Sequence, residues 1–167
     1  MAGSSLLCIV LVFCCVALGT ACGPHGTPGK PPNGKPDPVS FFQRIISHIA
    51  TDFINSKKWK GNETALFVAQ VFEMAGVTVP NTNWFCWCPI GVDEWGKANS
   101  TYLTCGWCWV KTTCPRMGDV AGNGKIAAIV GEKNTTIYPS SSGVVVKNKV
   151  AFQPGSSKDF IFWTYVC

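Results

Sequence analysis

The spacing of hydrophobic residues along the chain changes twice, and each change predicts a different kind of element. Apolar side chains recur every three or four residues from Phe42 to Phe53, which predicts a helix over about residues 38–55. A second helix, over about residues 63–75, is apolar nearly all round, as is typical of a buried central helix. After residue 125, short strand-like runs are separated by Gly, Pro and Ser. This order predicts an α+β domain in which N-terminal helices pack on an antiparallel β-sheet.

Residues 80–114 interrupt this order, because they follow no regular hydrophobic pattern and are dense in Trp and Cys. We interpret this segment as disulfide-rich. Within it, the residues on both sides of Cys105 and Cys108, YLT and WVKTT, have the composition of strands.

The N-terminal part of the chain differs in composition from the rest. Residues 6–18 are an uninterrupted apolar run followed by small residues, which predicts a signal peptide over residues 1–21. Residues 22–38 are dominated by Gly and Pro and are interpreted as a linker. The domain itself is then expected over residues 39–167, and the protein is expected to be secreted.

Three sequons and a mild positive charge bear on localisation and partners. The sequons begin at Asn62, Asn99 and Asn134 and predict N-glycosylation in a secretory route. With 14 basic and 9 acidic side chains, the net charge is +5. This balance permits attraction to anionic polymers, but the absence of basic-aromatic interleaving argues against nucleic acid. We expect no membrane partner once the signal peptide is cleaved.

Six cysteines fall within the domain, and an even set in an oxidising compartment predicts disulfides. They are Cys86, Cys88, Cys105, Cys108, Cys114 and Cys167. Their pairing stays open at this point. Two weaker interpretations are a redox C-x-x-C at Cys105 and Cys108 and a zinc site that adds Cys86 and Cys88. Cys22 would be a seventh cysteine, able to link two copies of the chain. We expect no metal and no cofactor.

Several motifs occur in the same order as in a known family. The second helix carries F-V-x-x-V-x-x-x-A-G, and R-x-G-D-V, A-I-V-G, G-V-V-V and F-I-F-W-x-Y-V follow it. Over about residues 40–167 the chain resembles the papain-like cell-wall amidases and endopeptidases of CHAP type and NlpC type. Against that family, residues 80–114 look like a disulfide-rich insertion. The resemblance implies a papain-like amidase fold and peptidoglycan as the ligand.

The resemblance also implies where catalytic residues would lie. In that family a cysteine at the start of the buried helix attacks an amide, a histidine on the first long strand is the base, and a polar residue on the next strand orients it. In this chain the matching positions are Thr64, Lys125 and, within Tyr138–Ser140, Ser140. No histidine follows His48. Because a cysteine–histidine hydrolase needs both groups, the resemblance implies a hydrolase frame without its chemistry.

Other polar and aromatic residues have simpler interpretations. His48 is expected on the exposed face of the first helix, Asp119 in a turn where it caps its own backbone, and the pair Asp93-Glu94 on the surface. The tryptophans either fill a disulfide-stapled core or stack on sugar rings. We name Trp84, Trp87 and Trp95 as candidate ligand-binding residues.

Three functions are compatible with these observations. The first is a secreted glycoprotein whose inactive amidase-like domain binds peptidoglycan or a related glycan in defence or recognition. The second is a structural protein of extracellular matrix, egg or mucus. The third is an active amidase in which Thr64 is the nucleophile and Lys125 the base.

Overall fold

The computed structural model describes the greater part of the predicted domain. The described residues are 38–56, 58–60, 63–83, 88–105, 108–148 and 160–167. The predicted signal peptide lies outside them, as do Cys22, Asn62, Trp84, Cys86 and Trp87. Within the described part of the chain, no helix is long and apolar enough to cross a membrane.

Helix α1 spans Pro38–Asp52 and buries one of its faces. Ile46 and Ala50 are completely buried, whereas His48 is exposed as the sequence predicts. The helix ends before the expected residue 55. Asn55 has a φ of 67° and gives its backbone N–H to Val145, so the chain has already turned towards the sheet.

Helix α2 spans Thr64–Met74. It buries one face, but Leu66 and Met74 are 45% and 58% exposed, so it is not buried nearly all round as its apolar sequence predicts. No side chain caps its first turn. At the other end Gly76 adopts a φ of 83°. The N–H groups of Gly76 and Val77 bond back to Glu73 and Phe72, which is the Schellman ending that glycine favours.

The segment of residues 80–114 is more regular than its sequence suggests. It contains a small antiparallel sheet of β1 (Asn81–Asn83) and β2 (Cys88–Pro89), then the one-turn helices α3 (Val92–Trp95) and α4 (Thr101–Thr104), and then β3 (Trp109–Thr112). The strand expected on the WVKTT side of Cys108 is confirmed as β3. The strand expected for YLT is wrong, because these residues form α4 and bury Leu103 completely.

A six-stranded sheet with order β3–β8–β4–β5–β6–β7 forms the body of the domain. Every neighbouring pair is antiparallel, which confirms the predicted α+β class. The remaining strands are β4 (Val120–Gly122), β5 (Ala127–Val130), β6 (Thr136–Pro139), β7 (Val145–Asn148) and β8 (Ile161–Tyr165).

Helix α2 packs against β5 and β6 and encloses the main core between helices and sheet. Phe67, Ile129 and Ile137 are completely buried there. A smaller cluster includes Ala121 and Phe162. These two residues face each other across β4 and β8.

Two glycines let α3 lie directly on the sheet. A Cβ at Gly122 would lie 2.5 Å from the carbonyl oxygen of Trp95, and one at Gly96 would lie 2.1 Å from the backbone nitrogen of Gly124. Both distances are shorter than any side chain tolerates. The close approach positions Trp95, whose carbonyl accepts a hydrogen bond of 3.1 Å from Nε1 of Trp163.

Candidate functional site

Thr64, the predicted nucleophile position, is the first residue of α2, and its side chain lies inside the protein. Its Oγ1 accepts a hydrogen bond from the backbone N–H of Ala127, with an N–O distance of 3.0 Å. The residue is 1% exposed. A nucleophilic hydroxyl needs a base within reach and access to the substrate. The partner here is an amide and the hydroxyl has no free surface, so Thr64 links the helix to the sheet.

Lys125, the predicted base, lies in the turn between β4 and β5 and is exposed. The side-chain oxygen of Asn123 accepts hydrogen bonds of 3.0 Å from the backbone N–H groups of Lys125 and Ile126. Gly124 completes the turn with a φ of 81°. These contacts use the backbone of Lys125 and leave its ammonium group in solvent. A lysine acts as a general base only after desolvation, and this arrangement does not provide it.

Ser140, the predicted orienting residue, lies in the turn between β6 and β7. Its Oγ is 2.8 Å from Oγ of Ser142 and donates a hydrogen bond of 2.9 Å to the carbonyl of Val144. Because β5 and β6 are antiparallel, this turn lies at the end of the sheet where β5 begins. Thr64, Lys125 and Ser140 therefore share one end of the sheet, each with its own local hydrogen bonds.

Trp95 does not have the exposed ring that a stacking residue needs. It is completely buried, and its ring meets Trp109 edge to face with centroids 5.0 Å apart. The predicted ligand-binding role of Trp95 is therefore wrong, because the α3 backbone turns the indole into the core. The same prediction for Trp84 and Trp87 falls outside the described residues.

The cysteines are partly paired as predicted. Cys108 and Cys167 form a disulfide that fastens β3 to the end of β8, and Cys88 and Cys114 are also disulfide-bonded. Cys105 is a free, exposed thiol at the end of α4, so the disulfide predicted for it is wrong.

The bond of Cys108 to Cys167 removes the thiol that a redox C-x-x-C or a zinc site would require. Over the residues that the structure describes, no group of three or more His, Cys, Asp or Glu side chains could hold a metal ion.

Of the three sequon asparagines, one has a side chain that the structure describes. Asn99 is exposed in the turn between α3 and α4. Asn134 ends a short 3-10 helix, Glu132–Asn134, and its side chain lies outside the described part, as does Asn62. Glycosylation at the three sites stays a prediction.

The acidic pair is less uniform than expected. Asp93 is exposed, but the side chain of Glu94 is only 13% exposed and accepts a hydrogen bond of 2.8 Å from Ser100. The hydrogen bond from Lys97 is the main cause that lowers the pKa of Glu94. Glu94 therefore stabilises the turn after α3, and Asp93 faces solvent.

Asp119 has more hydrogen-bond partners than the turn cap that the sequence predicts. Its Oδ2 accepts the N–H of Arg116 at 2.7 Å, which confirms the predicted turn cap. Its Oδ1 also accepts Nε2 of Gln43 on α1 at 2.7 Å, and Thr164 on β8 bonds to the same carboxyl group. Burial is the largest influence and raises the pKa of Asp119 to about 7.

The sequence of α1 indicates this buried polar site. Gln43 lies three residues before Ile46 and seven before Ala50, so a polar side chain occupies the apolar stripe of the helix. It is 3% exposed. Because buried polar groups need hydrogen-bond partners, this position indicated a polar partner in the core.

Comparison of the chain with protein-family models, with curated proteins and with solved structures finds no match.

Proposed function

We propose that this protein is a catalytically inactive amidase-like domain that binds peptidoglycan or a related amino-sugar polymer in defence or recognition. The burial of Thr64 carries the proposal. In the amidases that the sequence resembles, the residue at the start of the buried helix is the nucleophile. In this protein a threonine hydroxyl lies there, is 1% exposed and is bound to the N–H of Ala127. Such a domain keeps a surface for the polymer without a group to cleave it.

The proposal places the protein outside the cell. The apolar run at residues 6–18 and the three sequons favour secretion. The disulfide between Cys108 and Cys167 is of the kind that persists in oxidising compartments. Of the sequon asparagines, Asn99 has the exposed side chain that a glycan requires.

The active-amidase alternative is weakened by the same geometry. To act as a nucleophile, Thr64 would have to leave its hydrogen bond with Ala127 and become accessible to the polymer. Lys125 would have to leave solvent to act as its base.

Sedimentation with purified, insoluble peptidoglycan tests the proposal. The mature protein, with its disulfides oxidised, is mixed with increasing amounts of peptidoglycan or, as a control polymer without amino sugars, cellulose. We expect saturable transfer of the protein into the peptidoglycan pellet and little transfer with cellulose. Protein that stays in the supernatant with both polymers would refute the proposed ligand.

The free thiol of Cys105 favours a second candidate function, that of a structural protein of extracellular matrix, egg or mucus. An exposed thiol in an oxidising compartment can join two copies through a disulfide. Electrophoresis without reductant should then show a covalent dimer that Cys105→Ser removes. A monomer under oxidising conditions would argue against cross-linking through this residue.

A further inference from the structure

The segment between α1 and α2, in its described residues 53–56, 58–60 and 63, crosses one end of the sheet. Near its beginning, the backbones of Asn55 and Ser56 form hydrogen bonds of 3.0 and 3.1 Å with Val145, the first residue of β7. At its other end, Thr64 bonds to Ala127, the first residue of β5. Because β6 lies between β5 and β7, the segment extends over two strand spacings, roughly 10 Å.

Among the described residues, three exposed lysines lie on or beside this crossing segment. Lys58 and Lys60 belong to it, and both are exposed. Lys125 is exposed in the turn before β5, two residues and thus about 7 Å of extended chain from Ala127. Lys58 extends over the ring of Phe53, with Nζ 5.6 Å from the ring centroid. The three cations therefore share the end of the sheet where β5 and β7 begin.

Over the residues that the structure describes, none of these cations forms an ion pair. The two ion pairs found there within 4 Å both belong to Lys97, which contacts Asp93 and Glu94. At the lysine-bearing end, Glu63 uses one carboxylate oxygen to accept the backbone N–H of Lys60 at 2.9 Å. This carboxylate also offsets the positive end of the α2 dipole, so the lysine side chains supply the attraction for an anion.

We infer that this end of the sheet docks an anionic polysaccharide, whose acidic groups contact Lys58, Lys60 and Lys125. Ser141, in the neighbouring turn, is exposed, and its hydroxyl is available to the sugar rings. The inference rests on the proposed function and narrows its ligand to a polymer that carries carboxylate or phosphodiester groups. Lysines along a segment that extends over roughly 10 Å suit a repeating charge, since exposed charges interact over a Debye length of about 8–10 Å.

The aromatic residues of the same region favour a polysaccharide over single-stranded nucleic acid. Proteins that bind single strands stack the bases on exposed aromatic rings beside a basic groove. Phe53 and Trp59, the aromatic residues described next to these lysines, are 7% and 8% exposed and pack on Phe67. They provide no stacking surface, whereas charge contacts and hydroxyls are sufficient for an acidic glycan.

The experiment compares two double variants that lose the same charge. Lys60→Gln with Lys125→Gln removes two of the three cations, and both residues use only backbone atoms in their hydrogen bonds. Lys111→Gln with Lys133→Gln is the matched control. Lys111 lies on the edge strand β3, and Lys133 follows β5 at the opposite end of the sheet. Binding of the full mature chain to polygalacturonate, poly(glycerol phosphate) and neutral dextran is measured by titration calorimetry.

We expect binding to the anionic polymers, no binding to dextran, and affinity that falls as NaCl is added. The preference between polygalacturonate and poly(glycerol phosphate) identifies the acidic group. Replacing Lys60 and Lys125 should weaken binding about tenfold, the effect of losing two exposed charge contacts. The control pair should change the affinity by less than about twofold. Equal weakening by the two pairs would mean that net charge alone acts and would overturn the inference.

Further outcomes separate this inference from the proposed function. Equal affinity for single-stranded DNA of matched charge would overturn the assignment to a polysaccharide. Protein that pellets with peptidoglycan but binds neither anionic polymer would overturn the inference and leave the proposed function standing. Binding to the anionic polymers through Lys60 and Lys125 without pelleting would support the docking face and reject peptidoglycan as the ligand.

Discussion

Raising the pH from about 4 to 7 should destabilise this protein through the buried carboxyl group of Asp119. Burial raises the pKa of this group from the ordinary value of 3.8 to about 7, against the hydrogen bonds from Arg116, Thr164 and Gln43. Between these two values the unfolded chain releases the proton and the folded chain keeps it. Stability therefore falls as the pH rises through this window. Above about pH 7 the contribution of Asp119 to stability no longer changes.

The size of the effect follows from the difference between the two pKa values. From 3.8 to about 7, at about 1.4 kcal/mol for each pH unit, the loss in the free energy of unfolding is on the order of 4 kcal/mol. Domains of this size have total stabilities of about 5–15 kcal/mol, so the slope should be large enough to measure.

Asp119→Asn is the matched variant, because it removes the titrating group and keeps the shape. The amide oxygen of asparagine can accept the N–H of Arg116, and its NH₂ group can donate to Gln43 once that side chain is turned over. The variant should lack the loss of stability between pH 4 and 7. As the pH rises from 4 to 7, the free energy of unfolding of the variant should therefore increase relative to that of wild type by on the order of 4 kcal/mol.

Urea unfolding at pH 4, 5, 6, 7 and 8, followed by tryptophan fluorescence with the disulfides oxidised, measures this difference. Groups that titrate in both proteins, such as Glu94, cancel when the two curves are subtracted. A difference between the proteins that stays constant from pH 4 to 8 would refute the reasoning. A wild type that becomes relatively more stable as the pH rises would refute it as well.

Substitutions at three positions test the packing around the helices by urea unfolding at pH 6. Gly122→Ala should lower the free energy of unfolding by about 3 kcal/mol, since its Cβ would meet the backbone of Trp95 at 2.5 Å. An unchanged urea midpoint would contradict this contact. Thr64→Val should lose about 1–3 kcal/mol by leaving the N–H of Ala127 unpaired, whereas Thr64→Ser should stay close to wild type. Equal stability of these two variants would exclude the hydrogen bond. Trp163→Phe, which removes the donor to the Trp95 carbonyl, should lose about 2 kcal/mol, and a loss under about 0.5 kcal/mol would show that the bond contributes little.

The long elements could be predicted because their hydrophobic spacing is decided by one buried face. Helix α2 begins and ends within one residue of its predicted bounds, since Gly76 supplies a local stop. The predicted strand-like runs contain β5 to β8. Strand β4 has only three residues, Val120–Gly122, which is too short for a period of two to be recognised.

The short elements and the polar core depend on tertiary contacts that a local pattern does not encode. The YLT residues have strand composition, yet they form the single turn of α4 and bury Leu103 in the core. Trp95 is buried because Gly96 and Gly122 let the backbones touch. Gln43 and Asp119 are 76 residues apart in the chain and meet only in the folded domain.

Thr64, Lys125 and Ser140 lie at one end of the sheet. The burial of Thr64 and the exposure of Lys125 are properties of the packed structure that a local sequence pattern does not encode. The free state of Cys105 also could not be chosen from the sequence, because six cysteines permit many pairings.

Incubation of peptidoglycan with the mature protein shows whether the domain binds the polymer or cleaves it. The polymer is held with the protein for many hours and sedimented, and soluble fragments in the supernatant are separated by chromatography. Because Thr64 is buried and hydrogen-bonded to Ala127, we predict protein in the pellet and no new soluble fragments. Fragments that appear with wild type and disappear with Thr64→Ala would contradict the account and show that this protein cleaves the polymer.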